Sequence, residues 1–312
     1  MEASTIAQRA VPETSVFGTA RPRYGEAVIR VLLVMAAGVT VLTTIGIIYA
    51  LFSETYRFLQ EVPLHDFLFG TEWSPLFSDP QYGVLPLVCG TLVITAISTL
   101  VAVPLGVGSA IYLSEYAQPR TRKIIKPALE LLAGVPTIVF GFFALTFLTP
   151  LLQSIGIDVG TFNALSAGLV IGVLVVPTIA SISEDALSAV PIGLREAAYG
   201  LGASHFQAAT RVIVPAALSG IVASVVLGVS RAIGETMVVL LAAGQVPNLT
   251  IDVRQPMETM TAFIAATGKG DVPTGSIGYK TIFAVGALLF VMTFVLNMVS
   301  NRITRRYRET YE

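Results

Sequence analysis

The chain has 312 residues, of which 54% are hydrophobic and only 12% charged, where soluble domains average about 25% charged, so a soluble globule is excluded. Nineteen Lys and Arg against 20 Asp and Glu leave a net charge of -1, which offers no basic surface to nucleic acid. One cysteine, Cys89, and two histidines, His65 and His205, supply neither a disulfide framework nor a zinc or haem ligand set.

In chain order, residues 1–27 carry Pro12, Gly18, Pro22 and Gly25 without apolar periodicity and predict a flexible tail. Six apolar runs follow, at 28–52, 84–113, 128–152, 162–182, 216–243 and 281–300. Each can cross the hydrocarbon, which needs about 20 helical residues because no bare backbone can sit in lipid. The first is longer than the 7 to 15 residues of a signal-peptide core and is read as a permanent span. The expected fold is an all-α polytopic membrane protein with six transmembrane helices: one span at 28–52, a loop at 53–83, a five-helix core over 84–300 and a tail at 301–312.

Six spans put both termini on one side. That side carries fourteen Lys and Arg, while the other carries four, Arg57, Arg254, Lys269 and Lys280. The asymmetry predicts cytoplasmic termini in a plasma membrane, with 53–83, 153–161 and 244–280 outside. The first outer segment is acidic, with Glu54, Glu61, Asp66, Glu72 and Asp79 against Arg57 alone. Trp73 and Tyr82 beside the second run read as membrane-interface anchors. The last outer segment predicts a short helix over 257–267, opened by Pro256 and stopped at Gly268. Pro104, Pro136 and Pro177 interrupt runs two, three and four. Nearby glycines, among them Gly106, Gly168 and Gly172, allow close helix approach.

Segment 183–211, between the fourth and fifth runs, is too polar to span. Pro191 opens one short helix, a glycine suits a left-handed turn after it, and Ser204 with Gln207 three positions on predicts a capping box for a second. The order Glu196-Ala197-Ala198, three residues, Gly202, nine residues, Val212-Ile213-Val214-Pro215 resembles the EAA loop of ABC-transporter importer permeases, with Val212 and Val214 replacing Ile and Leu. The resemblance implies a type I (MetI-like) permease fold whose loop, 191–215, docks on an ATPase through Glu196, Ala197, Ala198, Gly202 and Pro215. The chain contains no G-x-x-x-x-G-K-[ST] run to cradle nucleotide phosphates. The permease itself is therefore expected to bind no cofactor and catalyse nothing, with Mg-ATP held by the partner.

Within the fifth run, Arg231 stands 16 residues beyond Pro215, about 24 Å along a continuous helix. A cation at that depth costs about 2.5 to 3.5 kcal/mol on insertion scales and usually lines a pathway. Glu235, at i+4, shares its helical face. The pair reads either as self-neutralising or as a cargo site in which the guanidinium fork meets an oxyanion and Glu235 tunes it. The run Arg231-Ala232-Ile233-Gly234-Glu235-Thr236-Met237, with Glu130 to Gly141, is similar to phosphate-specific permeases, and Met237-Val238 resembles the PstC type. That resemblance implies inorganic phosphate as cargo, a PstA-type permease as second half, two PstB-type ATPase copies and a PstS-type phosphate-binding protein. Sulfate or molybdate is the alternative cargo, and an ion-coupled secondary transporter the alternative mechanism.

Overall fold

A computed structural model describes residues 24–306. Of the tails expected at 1–27 and 301–312, residues 1–23 and 307–312 lie outside the described residues, while 24–27 open the first long helix and 301–306 end the last. Among those described, the chain is helical apart from loops and one antiparallel bridge between Trp73 and Tyr82. The helices are α1 (Tyr24–Glu61), α2 (Leu64–Phe69), α3 (Leu85–Ile111), α4 (Pro119–Ala133), α5 (Thr137–Phe143), α6 (Thr149–Ser154), α7 (Ala164–Ser188), α8 (Ile192–Gly200), α9 (His205–Ala208), α10 (Val214–Ala216), α11 (Leu218–Ile233), α12 (Met237–Ala242), α13 (Met260–Lys269) and α14 (Ile277–Arg306). Three π-helical turns, Tyr112–Tyr116, Ala144–Leu148 and Ala209–Ile213, extend or join them.

The chain divides after Ala50 into two units. Residues 24–50 of the first are wholly α-helical, and their apolar side chains, such as Leu33, Leu42 and Tyr49, are exposed. The second unit, from Leu51, holds the rest of the fold. Five helices are long and apolar enough to cross a membrane: Val28–Glu61, Leu85–Tyr116, Thr137–Ser154, Ala164–Ser188 and Ile277–Ser300. The pair His205–Ala216 and Leu218–Ile233, which meet at 70°, makes up to six if it is counted as one broken span.

Two of the expected runs are broken. The third does not begin at residue 128: α4 is a separate amphipathic helix, and the chain breaks at Gly134–Pro136 before the crossing starts at Thr137. The residue before a proline is pushed out of the α region, and Pro136 has no N–H with which to continue α4. The fifth run is cut between Ile233 and Met237, so α11 and α12 are distinct. By contrast the fourth helix runs on past 182 to Ser188, with Pro177 inside it.

α7 is the central element of the second unit. It packs closely on α3, where Gly168 lies against Ile97 and Gly172 against Val101. A Cβ built on either glycine would come within 2.7 Å of the opposing Cβ, so the contact depends on their bare backbones. Helices in lipid gain little from hydrophobic association, and close packing of this kind is what holds them together. α7 also meets α11, where the buried hydroxyls of Ser183 and Ser224 are 2.6 Å apart. Asn163 caps α7, its side-chain oxygen accepting from the Ser166 N–H at 2.7 Å. A second core forms at the end bearing the 64–84 segment, from Phe58, Phe67, Trp73, Phe263 and Val285. Trp73 is 4% exposed and packs edge-on against Phe263 at 4.9 Å, so it is a core residue there and not an interface anchor. The lid helix expected over 257–267 is α13, begun by the Thr259 cap and carried through Gly268 to Lys269.

Candidate functional site

At the opposite end, α8 and α9 form a bent knob. Gly202, between them, has φ +83°, the left-handed conformation that lets α8 end within two residues and the chain turn back. The Ser204 side chain accepts from the Gln207 N–H and the Gln207 side chain accepts from the Ser204 N–H, completing the capping box of α9. Glu196, Ala197 and Gly202 are exposed, as are Ile192, Leu201 and Phe206, while Ala198 is buried under the knob. Pro215 is exposed, two residues before the 70° bend.

Residues that sequence reasoning passed over fix this knob to the bundle. Arg195 on α8 donates from Nη2 to Glu115 on the π turn after α3 at 3.0 Å, and to the Leu187 carbonyl near the end of α7 at 2.7 Å. The Glu115 side chain is 4% exposed, so this is a shielded charge pair joining three elements. A second charged cluster lies beside it. Glu184 on α7 is 1% exposed and takes Arg122 and Lys126, both from α4, with Lys126 Nζ at 2.7 Å. Hydrogen bonding to Glu184 holds the Lys126 ammonium above its ordinary value despite some desolvation. The signal was present in sequence as a lone Glu-Asp pair at the end of an apolar run, but its partners lie 58 and 62 residues away. Glu184→Ala would leave two cations facing a vacated buried carboxylate position, a break that costs roughly 3–5 kcal/mol. Thermal unfolding of purified protein in nanodiscs should therefore shift down by several degrees, and Glu184→Gln by less; an unchanged midpoint for Glu184→Ala would remove the cluster from the set of stabilising contacts.

Arg231 and Glu235 are not on one helical face. α11 ends at Ile233, so Arg231 occupies its last turn, where a cation suits the helix carboxyl end. Arg231 is exposed, and no described ion pair or hydrogen bond engages its guanidinium. Glu235 is buried beyond the break. Its Oε1 accepts from the Val238 N–H at 3.4 Å, at the start of α12, and its carbonyl accepts from the Thr261 hydroxyl on α13 at 2.7 Å. Glycine and threonine in Gly234-Glu235-Thr236 carry the interruption: the Gly234 N–H still reaches Ser230, but the ladder then stops. The carboxylate fixes the break, and the guanidinium is left with its five donors unused by the described residues.

The transport-system family model described as "Binding-protein-dependent transport system inner membrane component" matches residues 102–309, two-thirds of the chain. This chain belongs to that family. It is a membrane transport component rather than an enzyme, and family membership implies an ATPase and a substrate-binding protein as partners. Among curated relatives, a probable ABC transporter permease, YqgH of Bacillus subtilis, is 38% identical over 77% of this chain and 78% of its own. The phosphate transport system permease protein PstC of Mesorhizobium japonicum is 32% identical over 87% and 88%. PstC 1 of Mycobacterium tuberculosis is 34% identical over 78% and 82%. Solved structures share the fold. A bacterial ABC transporter involved in alginate import aligns with TM-score 0.62 at 17% identity, over 92% of this chain and all of that one. The MetNI methionine transporter aligns with TM-score 0.55 at 19% identity, over 73% and 95%. The family match covers both the α8–α9 knob and the broken fifth crossing.

Proposed function

We propose that this chain is the PstC-type permease of an ATP-driven importer of inorganic phosphate. The observation that carries the reading is the free Arg231 guanidinium at a helix break, in a chain whose similar relatives are named phosphate transport permeases. A permanently charged planar fork matches a tetrahedral oxyanion bidentately, and a site it shares with a membrane interior excludes competing cations. Arg231 is exposed on a single permease, and a second, PstA-type permease placed over that surface would enclose it as one wall of the pathway. Glu235 holds the break that presents the arginine and tunes its field from behind.

In this reading two PstB-type ATPases, each with Mg-ATP, receive the α8–α9 knob in a cleft through Glu196, Ala197, Ala198 and Gly202. Their closure moves α8, and the Arg195–Glu115 and Arg195–Leu187 ties carry that displacement into α3 and α7. The bend after Pro215 passes it to α11. Both termini are placed in the cytoplasm, a reading the distribution of Lys and Arg supports, and a PstS-type protein delivers phosphate on the far side. The permease binds no cofactor of its own.

Proteoliposomes holding both permeases and the ATPase, with phosphate-loaded binding protein outside, test this directly. ATP-dependent uptake of radiolabelled phosphate is expected, undiminished by excess sulfate or molybdate. Competition by either anion would make the chain a permease for that oxyanion, and uptake without the ATPase would make it a secondary transporter.

A further inference from the structure

Between the turn at 73–77 and α13 lies a cavity of about 300 Å³. Glu258 is the ionisable residue among those that line it, and it is 6% exposed, with no described partner for its carboxylate. Trp73 lines the same cavity, and its buried Nε1 is likewise without a hydrogen-bond partner. Buried polar groups in folded chains are nearly always satisfied, so an open indole N–H on the same cavity as an unpaired carboxylate marks a place where something else binds.

The charges on neighbouring elements do not answer Glu258. Asp252 and Arg254 pair with each other at 2.9 Å, and Lys280 pairs with Glu61. Lys269 at the end of α13 and Glu72 and Asp79 in the adjoining hairpin are exposed and do not line the cavity. The segment that carries Glu258 is held in place. Its backbone is wedged against α3, where a Cβ on Gly90 would collide with the Glu258 carbonyl, and the Met260 N–H donates to the Thr91 hydroxyl at 3.1 Å. Burial pushes the Glu258 carboxyl up to about 7.

The volume is far larger than the roughly 30 Å³ of a water or a bare small cation. Aromatic faces from Trp73, Phe77 and Phe263 form much of the wall, which suits an alkyl stem with a cationic head. A main-chain carbonyl beside such a side chain would satisfy the indole N–H. The surroundings attract a cation too, since Asp66 and Glu72 line the groove formed by the neighbouring 61–83 segment.

We propose that this cavity is the socket for a basic side chain, lysine or arginine, of the external phosphate-binding protein, seated with its cation on Glu258 and its stem on Trp73 and Phe263. The proposal rests on the functional reading above and names where the delivering protein engages this chain. It also gives docking a short route to the cargo site: Thr261, three residues on from Glu258, donates its hydroxyl to the Glu235 carbonyl at the helix break.

The test is a titration of ATPase activity in proteoliposomes of the complete importer with phosphate-loaded binding protein. Glu258→Gln is expected to raise the half-saturating concentration about tenfold, the effect of one lost charge contact, with the maximal rate retained. Leu76→Lys, which sets a competing ammonium at the exposed rim of the same cavity, should do the same without touching the buried segment. In the wild type, half-saturation should also rise about tenfold from pH 8 to pH 6 as the carboxylate takes a proton, and Glu258→Gln should lack that dependence. Variants that titrate like the wild type at both pH values overturn the socket while leaving the phosphate reading intact. If the wild type itself neither responds to the loaded protein nor imports phosphate, the functional reading fails, and the socket with it.

Discussion

Arg231→Ala is expected to reduce ATP-driven phosphate uptake by about 30-fold or more while the protein still inserts and co-purifies with its partners. The magnitude follows from losing a charge-assisted contact to an anion in a water-poor pathway, which costs roughly 2–5 kcal/mol. Assembly should survive because the described residues make no ion pair or hydrogen bond with the guanidinium, and because Glu235, which fixes the break, does so through the Val238 N–H and Thr261. Arg231→Lys keeps the charge but not the planar fork, and should recover only part of the loss. Uptake near the wild-type rate in Arg231→Ala liposomes would move the anion path elsewhere, to another face of the chain or wholly into the second permease. Glu235→Gln gives a complementary result: it retains an oxygen able to accept from the Val238 N–H, so it should impair transport less than Arg231→Ala.

Gly202→Val is expected to uncouple ATP hydrolysis from transport. With φ at +83°, the glycine lies where a β-branched residue is strained by about 1–2 kcal/mol, and open space around its Cβ position means that this strain is conformational rather than steric. The chain relieves it by unwinding the turn between α8 and α9, which displaces the exposed surface of Leu201 and Phe206 relative to Glu196. Hydrolysis by the isolated ATPase would be unaffected, but stimulation by loaded binding protein and uptake should both fall several-fold, and co-purification of the ATPase should weaken. Gly202→Asn, a residue that enters the left-handed region more readily, should be milder. Equal, undiminished coupling in both variants would show that the turn is not part of the docked surface.

Membrane character, the helical class and the polar knob at 191–211 were legible without coordinates because each rests on local chemistry. Runs of apolar residues must be helical in lipid, Ser204 and Gln207 cap one another three residues apart, and Gly202 follows a helix that has to turn. The EAA spacing and the Arg231 motif were readable for the same reason, as short patterns of fixed offset. The readings that failed share a different physics. Hydropathy averages over a window and does not register a three-residue break, so 128–152 and 216–243 each looked like one helix. In the second, Arg231 and Glu235 appeared to face the same way only because the helix was assumed to continue.

Charge partners were invisible for another reason. Glu184 meets Arg122 and Lys126, and Glu115 meets Arg195, across 58 to 80 residues of intervening chain. Trp73 looked like an interface anchor by residue type, yet the hairpin and α13 bury it beside an unpartnered Glu258.

Residue order was enough to say that this is a helical membrane chain, to locate the polar knob and to single out Arg231, since these follow from solvation and from contacts within a helical turn or two. Which carboxylates are shielded, which cation is left open, and which cavity an unpaired carboxylate lines depended on helices distant in sequence packing together. Desolvation and ion pairing are properties of three-dimensional neighbours, and no local pattern encodes who those neighbours are.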